Sequence, residues 1–409
     1  MSLSIAVVGG SISGCMAAAL LARDGHEVTV YERSSNDLIG RGGGIATSTT
    51  VIQTLKQEQL IPADFPSVTH DRLRLAKITD TESYLGRCPW GPELDMECVH
   101  WSGLFESLKQ SLGNAQYQLN KELLGVETKN KQRQLLFADG SETCVDLVVF
   151  TDGFRSLGRR LMHPTVDLNY RGFVVWRGTL DESQFPPGNA LDEHPRISYR
   201  NMPGSFITYL MPSQTGSVEP GERVINWAAY LPIPEPQLAD HMIDSEGKAR
   251  WGTVPAGYFR QDLENKFKQL MREQLPLFFA DITAASSNTQ FQPIRITQVP
   301  SHYEQRMCLV GDAAVAIQPM TGSGAFKALH NALSLATALR QSDDCETSLK
   351  NWSKSETLLD EKLLCTGFAM EKAFIWETID LATASADEVQ QWWDNSITYP
   401  SEYSYLKVR

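Results

Sequence analysis

Residues 9 to 14 read Gly9-Gly10-Ser11-Ile12-Ser13-Gly14. Small residues at this spacing let backbone N–H groups close on a pyrophosphate at the start of a helix, and the middle glycine of the usual pattern is Ser11 here. The run LSIAVV before the turn has the character of a buried strand. An Ala/Leu-rich helix ended by Gly25 follows it, and then a second strand, HEVTVYER, finishes at Glu32. A carboxylate at that place can bind both ribose hydroxyls of an adenosine. The candidate dinucleotide contacts are therefore Gly9, Ser11, Ile12, Ser13, Gly14 and Glu32, with Arg33 next in line to stack near the adenine. The plainer alternatives are a glycine turn that only packs helix on strand, and a solvated arginine.

Two later segments repeat the combination of buried strand, small residues and acid. DLVVFTDGFRSLGRR carries Asp152, Gly153, Ser156 and Arg159. LVGDAAVAIQPMTGSGAFKALHNA carries Gly311, Asp312, Pro319, Met320, Gly322, Ser323, Gly324 and Ala325. A loop this rich in glycine leaves the first N–H groups of the following helix unpaired, where they favour negative charge. For Asp312 the alternative is a helix cap after a buried strand.

The elements that must hold these residues follow from the hydrophobic periodicity. The opening is a βαβ unit. A helix from Trp101, hairpin-like strands KELLGVETKN and QRQLLFADG, and the strand DLVVFTDG resume the same core. Between about Tyr170 and Tyr230 short alternating segments such as FVVWRGTL, SFITYLMP and RVINWAAYLP are separated by Pro and Gly, which predicts an antiparallel sheet. A helical stretch from Phe259 to about Ala285 follows, and then a buried strand, turn and long helix return the chain to the first core. The predicted fold is α/β: a Rossmann-like domain of three layers (ββα), an inserted antiparallel substrate domain, and C-terminal helices. The expected division is 1–70, 98–168 and 288–345 for the dinucleotide domain, 71–97 and 169–287 for the inserted domain, and 346–409 for the terminal helices.

Composition bounds the function. The chain has 409 residues, 42% of them hydrophobic, and a formal net charge of -12. That is ample for a buried core, and the mean field repels a polyanion, so nucleic acid is not an expected partner. Seven cysteines, odd in number and without a Cys-x-x-Cys pair, suggest neither a disulfide framework nor a metal site and fit a reducing cytoplasm. No apolar run reaches the length of a membrane span.

With an antiparallel region between the second and third, the three motifs resemble the single-component FAD-dependent aromatic hydroxylases. The likeness extends to about Leu339, and Tyr170-Arg171-Gly172-Phe173, Trp176-Arg177-Gly178, Asn226-Trp227 with Tyr230, Phe259-Arg260-Gln261 and Lys327 also support it. The resemblance implies bound FAD, with Asp312 on the ribityl chain, Pro319 at the flavin ring and Gly322 to Ala325 leading a helix toward the flavin pyrimidine. It places the loop of Arg41, Gly44 and Ile45 beside the flavin, where Arg41 could meet phosphate, flavin or substrate. It further implies NADH or NADPH as a transient co-substrate, and O2 consumed through a flavin C4a-hydroperoxide. The substrate would be a small electron-rich aromatic or N-heteroaromatic compound. Pro319, Tyr209 and Asn226 are the expected catalytic contacts, and Met211, Trp227, Tyr230 and Met320 the expected pocket lining; an ordinary aromatic sheet face is the alternative for any one of them. Many members carry Arg on the helix that begins here at Trp101 and His in place of Val315, and one branch has Arg-Pro-His where this chain reads Gln318-Pro319-Met320. The exchange of a basic and a titratable group leaves two rivals open, a bulkier natural-product substrate and a flavin oxidase or sensor that never inserts oxygen. Monomer and homodimer are both compatible with the sequence.

Overall fold

The structure is a computed structural model that describes residues 2–38, 42–79, 84–186, 188, 190–341 and 344–397. The βαβ opening forms as Ser4–Val8, Ile12–Arg23 and Glu27–Tyr31. These strands sit in the middle of a six-stranded sheet in the order Tyr303–Glu304, Met307–Leu309, Leu147–Phe150, Ser4–Val8, Glu27–Tyr31, Gln116–Gln118. All neighbours are parallel except the Tyr303–Glu304 edge strand. Successive side chains of Ser4–Val8 point to opposite faces, which separates two cores. Ile5 and Val7 pack under the helices Ile12–Arg23, Trp101–Gln110 and Gly324–Arg340, whereas Ala6 and Val8 face the antiparallel sheet Leu123–Lys129, Gln132–Phe137, Glu142–Val145. Helices, parallel sheet and antiparallel sheet are the three expected layers.

A nine-stranded sheet forms the second body. Its order is Ser287–Ile296, Asn169–Asp181, Val224–Pro232, Ser205–Met211, His194–Ser198, Val68–Lys77, Glu93–His100, Gly44–Ser48, with Arg87–Trp90 added on Val68–Lys77. It takes in 44–48, 68–70, 98–100 and 288–296, which the sequence expectation assigns to the dinucleotide domain. A short strand's own pattern does not name its pairing partner, so the chain passes between the bodies more often than the motifs suggest.

Both faces of this sheet are covered. On the outer face Trp176, Phe206, Trp227 and Phe291 pack under the helices Gln261–Gln274 and Leu277–Ala285, which part at Pro276. Leu263, Phe267 and Met271, one turn apart, are the buried stripe of the first helix, and Phe267 stacks on Trp176 at 4.2 Å and on Trp227 at 5.7 Å. On the inner face Phe173, Val175, Ile207, Tyr209, Met211, Ala228 and Tyr230 join Met320 and the terminal residues Met370, Phe374 and Trp393. The helix Cys345–Glu371 and the π-helical turn Lys372–Trp376 thus bind the two bodies together, and the Gly204 N–H donates to the Ile375 carbonyl at 2.8 Å. No helix among the described residues is long and apolar enough to cross a membrane.

Candidate active site

The glycine turn is fixed by close approach. Gly9 sits at φ 102°, in the left-handed region, and a Cβ there would lie 2.7 Å from the Thr151 carbonyl oxygen. A Cβ on Gly14 would lie 1.9 Å from the Gly9 oxygen, so only glycine lets the helix seat on the strand. No side chain caps the start of that helix. Its first-turn amides therefore face the groove beside it, a cavity of about 290 Å³ lined by Gly9, Ser11, Glu32, Arg33, Asp152 and Gly153 among others. Ile12 and Ser13 lie behind it in the helix, Ile12 buried in the core under the sheet. Glu32 is buried and accepts from the Gly10 and Ser34 N–H groups at 2.8 and 2.9 Å, which holds its carboxylate at the groove wall.

Asp152 bridges the second motif to the groove. Its Oδ2 accepts from the Leu157 N–H at 2.6 Å, its Oδ1 has no partner, and burial raises its pKa above the ordinary carboxylate value. A buried carboxylate oxygen left open beside a cavity suits a ligand hydroxyl. Arg159, buried in the same segment, donates to the Ala313 carbonyl at 3.0 Å, to the Asp312 carbonyl at 3.3 Å and to the Phe154 carbonyl, clamping the second motif to the third.

In the third motif Gly311 (φ 66°) passes so near the first helix that a Cβ would meet Ser13 Oγ at 2.8 Å. Its N–H donates to Asn331 Oδ1 at 2.8 Å. The Asp312 side chain remains 54% exposed and its Oδ1 accepts from Lys327 Nζ at 2.7 Å, whereas the Lys327 side chain is fully buried. Pro319–Thr321 makes a single 3-10 turn, Gly322 turns at φ 65°, and the helix Gly324–Arg340 starts without a side-chain cap. The Ser323 N–H donates to Thr321 Oγ1 at 3.2 Å, and the following amides at Gly324 and Ala325 form a second electropositive helix start. Gln318, fully buried, donates from Nε2 to Glu371 at 2.7 Å, and Glu371 in turn accepts three bonds from Arg171. The terminal helix therefore sets the position of the Pro319 turn.

The inner sheet face meets the loop ahead of Gly44–Ser48. The Gly44 N–H donates to Asn226 Oδ1 at 3.1 Å, and a Cβ on Gly44 would meet Tyr209 at 2.7 Å. Gly44, Tyr209 and Asn226 are brought together, with Ile45 next along the strand. Met211, Tyr230 and Met320 belong to the same apolar cluster. Behind Tyr209 stand two buried imidazoles, His194 and His70, at ring separations of 5.6 and 6.5 Å, and burial lowers the pKa of both, His194 the further.

Trp227 corrects the sequence expectation. Alternation along Val224–Pro232 sends it to the outer face, where it is fully buried and donates from Nε1 to Ser286 at 2.8 Å, so it does not line the inner face. Arg41 lies outside the described residues. Lys327, Asn331, Gln318 and two inner-face arginines, Arg177 and Arg196, were not among the expected site residues. Their burial and partners, which single them out, are not visible in the local sequence.

Against this geometry, a family profile described as "NAD(P)-binding Rossmann-like domain" matches residues 7–53, and one described as "FAD binding domain-like" matches 170–295. The chain is 28% identical over 358 residues to 2,6-dihydroxypyridine 3-monooxygenase of Paenarthrobacter nicotinovorans, covering 85% of each. It is 25% identical over 367 residues to a salicylate hydroxylase of Pseudomonas putida, covering 83% of this chain and 77% of that one. The structure of 2,6-dihydroxypyridine-3-hydroxylase from Arthrobacter nicotinovorans superposes with a TM-score of 0.82 at 25% identity, covering 94% of this chain and 97% of that one. Klebsiella pneumoniae HpxO, solved with FAD and uric acid, shares the fold, with a TM-score of 0.73 at 17% identity and coverage of 98% and 94%.

Proposed function

As an FAD-dependent monooxygenase similar to the single-component aromatic hydroxylases, the chain, we propose, uses NADH or NADPH and O2 to place one oxygen atom on a small electron-rich aromatic or N-heteroaromatic ring. The observation that carries this reading is the meeting of the helix start at Gly324 and Ala325 and the Pro319-Met320 turn with the apolar inner sheet face that holds Tyr209, Asn226 and Tyr230.

The residues present fit FAD. The Gly9–Gly14 turn would receive the pyrophosphate, Glu32 the adenosine ribose, and the open oxygens of Asp152 and Asp312 hydroxyl groups farther along the cofactor. Bound FAD supplies the hydride acceptor and, once reduced, the centre at which O2 is activated.

The chain's own groups do the rest. The Gly324 and Ala325 amides stabilise negative charge at the end of the groove nearest the sheet. Met211, Met320, Ala228 and Ile207 exclude water from the face where the ring would lie, which keeps reducing equivalents from being lost as H2O2. Asn226 holds the Gly44 loop against Tyr209, and the Tyr209 hydroxyl or a water takes the proton that an activated ring hydroxyl must release. His194, kept neutral by burial, packs Tyr209 without adding charge behind it. The division into a nucleotide-binding body and a substrate-binding sheet belongs to this same proposal.

The test is aerobic turnover of FAD-loaded protein with NADH and NADPH across dihydroxypyridines, hydroxybenzoates and larger polycyclic phenols, reading nicotinamide oxidation, H2O2 and product mass. Acceleration by one ring class with a mass gain of one oxygen atom supports the reading. H2O2 alone with every compound contradicts it.

A further inference from the structure

The helix Cys345–Glu371 carries two residues that its own stability does not explain. Gly367 stands buried in its interior, where glycine is a poorer helix former than alanine. Glu371, at its last position, is a carboxylate only 3% exposed. The two are one turn apart and share a face of the helix, and the same side chain, that of Gln318, lies against both. Gln318 is fully buried, donates from Nε2 to Glu371 Oε2 at 2.7 Å, and would have its Oε1 2.1 Å from a Cβ on Gly367. A carboxylate only accepts hydrogen bonds, so the amide must turn its nitrogen to Glu371 and its oxygen to Gly367. That oxygen has no hydrogen-bond partner. A buried acceptor without a partner destabilises the fold, so this seat is suited to holding Gln318 in place and not to adding stability.

Gln318 is also where the Pro319–Thr321 turn begins. Its carbonyl accepts from the Thr321 N–H at 3.2 Å and from the Thr321 hydroxyl at 2.9 Å, so a displacement of Gln318 passes directly into the turn. Glu371 meanwhile ties the turn to the nine-stranded sheet. It accepts three bonds from Arg171 of the strand Asn169–Asp181, the shortest at 2.8 Å, and one from Trp376 Nε1 at 3.3 Å. Arg171 neutralises the buried carboxylate, and donors converging from three segments make the junction geometrically specific. Residues 53 and 200 positions away in the chain thus meet on one side chain. Met320, the next residue but one after Gln318, packs in the same apolar cluster as Met370 and Phe374, on either side of Glu371 in the chain.

We propose that Glu371 is a positioning residue for the Pro319 turn: with Gly367 as the clearance it seats Gln318, and through Gln318 it sets where Pro319 stands relative to the sheet that carries Arg171. Glu371 needs no contact with substrate or cofactor for this. The proposal rests on the monooxygenase reading, which puts Pro319 at the flavin ring. In that setting a displaced turn opens the site to water, and the share of NAD(P)H lost as H2O2 follows the state of the seat. Gly367→Ala, a change that strengthens an ordinary helix interior, here drives Gln318 out of place.

The test compares FAD-loaded wild type, Gln318→Met, Glu371→Gln and Gly367→Ala with a control, Leu349→Ala, altered at a fully buried residue near the other end of the same helix. Three quantities are read: melting temperature, the position and shape of the bound-flavin absorbance bands, and the split of oxidised nicotinamide between H2O2 and product with the ring compound that wild type turns over fastest. Gln318→Met cuts the link to the turn and leaves the Glu371–Arg171 pair intact. It should shift the flavin bands, raise the H2O2 share and lower product formation by about tenfold, as small misplacements at a reacting centre do. Gly367→Ala should do the same with a lower melting temperature. Adding Gln318→Ala to it should restore the melting temperature but not the bands, since the clash is gone and the link is not rebuilt. Glu371→Gln, whose amide oxygen can still accept from Gln318, should stay nearer wild type than Gln318→Met. Leu349→Ala should lower the melting temperature and leave the bands and the split as in wild type. Unchanged bands and split in Gln318→Met overturn the proposal. So do changes that follow melting temperature across all variants, Leu349→Ala included, the outcome expected of a purely structural tie. Should Gln318→Met fail to fold, Gln318→Asn, one methylene too short to keep the bond, decides by the same comparison. If the bands shift as expected while wild type yields only H2O2 with every compound, the positioning role survives and the hydroxylase reading falls; hydroxylation by wild type with no band shift in any variant of the seat gives the reverse.

Discussion

In the groove beside Gly9–Gly14 the working groups are backbone amides, whereas on the inner face of the nine-stranded sheet they are side chains drawn from strands far apart in the chain. The groove tolerates almost no substitution at its glycines, because added atoms meet backbone at Gly9 and Thr151. The sheet face is a row of interchangeable positions on a shared scaffold. Its chemistry can change without disturbing the fold. Cofactor binding and substrate choice therefore reside in regions of different physical construction, and variants should separate them.

The largest effect is expected at Gly14→Ala. The new Cβ would sit 1.9 Å from the Gly9 oxygen, and overpacking of roughly 2–3 kcal/mol corresponds to FAD affinity lower by about a hundredfold. The ratio of flavin to protein absorbance after gel filtration reads this directly, and FAD retained at the wild-type level would break the contrast. Lys327→Met comes next. Removing the buried cation that bonds Asp312 should weaken FAD by about tenfold, the value of a charged hydrogen bond, with ligand preference on the sheet unchanged.

On the sheet, Asn226→Ala and Trp227→Phe should each cost about 1 kcal/mol of stability, through the lost bonds to the Gly44 N–H and to Ser286. They should differ in turnover. Asn226→Ala should raise the share of NAD(P)H lost as H2O2, whereas Trp227→Phe, altered on the far face, should leave that share as in wild type. Equal uncoupling in the two would mean that the faces are not functionally distinct.

The smallest expected effect concerns pH. His194 and His70 have folded pKa values below the ordinary value of about 6.5, because burial disfavours their charged forms. The unfolded chain then binds more protons than the folded one below that pH, so stability is complete above it and declines on acidification. Denaturant titrations from pH 7.5 to 5 should show this slope, and His194→Gln should flatten it.

These differences also explain what was legible. The glycine turn, Glu32, Asp152-Gly153 and Gly311-Asp312 are local signals, since each spacing is set by a strand-to-helix turn within a few residues. The three-layer body follows from them. Trp227 could not be placed, because VINWAAYL is buried on both faces and alternation shows which residues share a face without showing which face meets the site. Lys327 and Gln318 become informative only when their burial is known. The two strands Gly44–Ser48 and Ser287–Ile296 joined the larger sheet for the same reason: pairing is a property of two segments, and each was read alone.

The most direct measurement is turnover under 18O2 with the FAD-loaded protein, NADH or NADPH and the ring compound that most accelerates nicotinamide oxidation. The account predicts one labelled oxygen atom in the product for each nicotinamide oxidised beyond the H2O2 formed. Label found only in H2O2 and water, with FAD bound and every ring compound recovered unchanged, would contradict it.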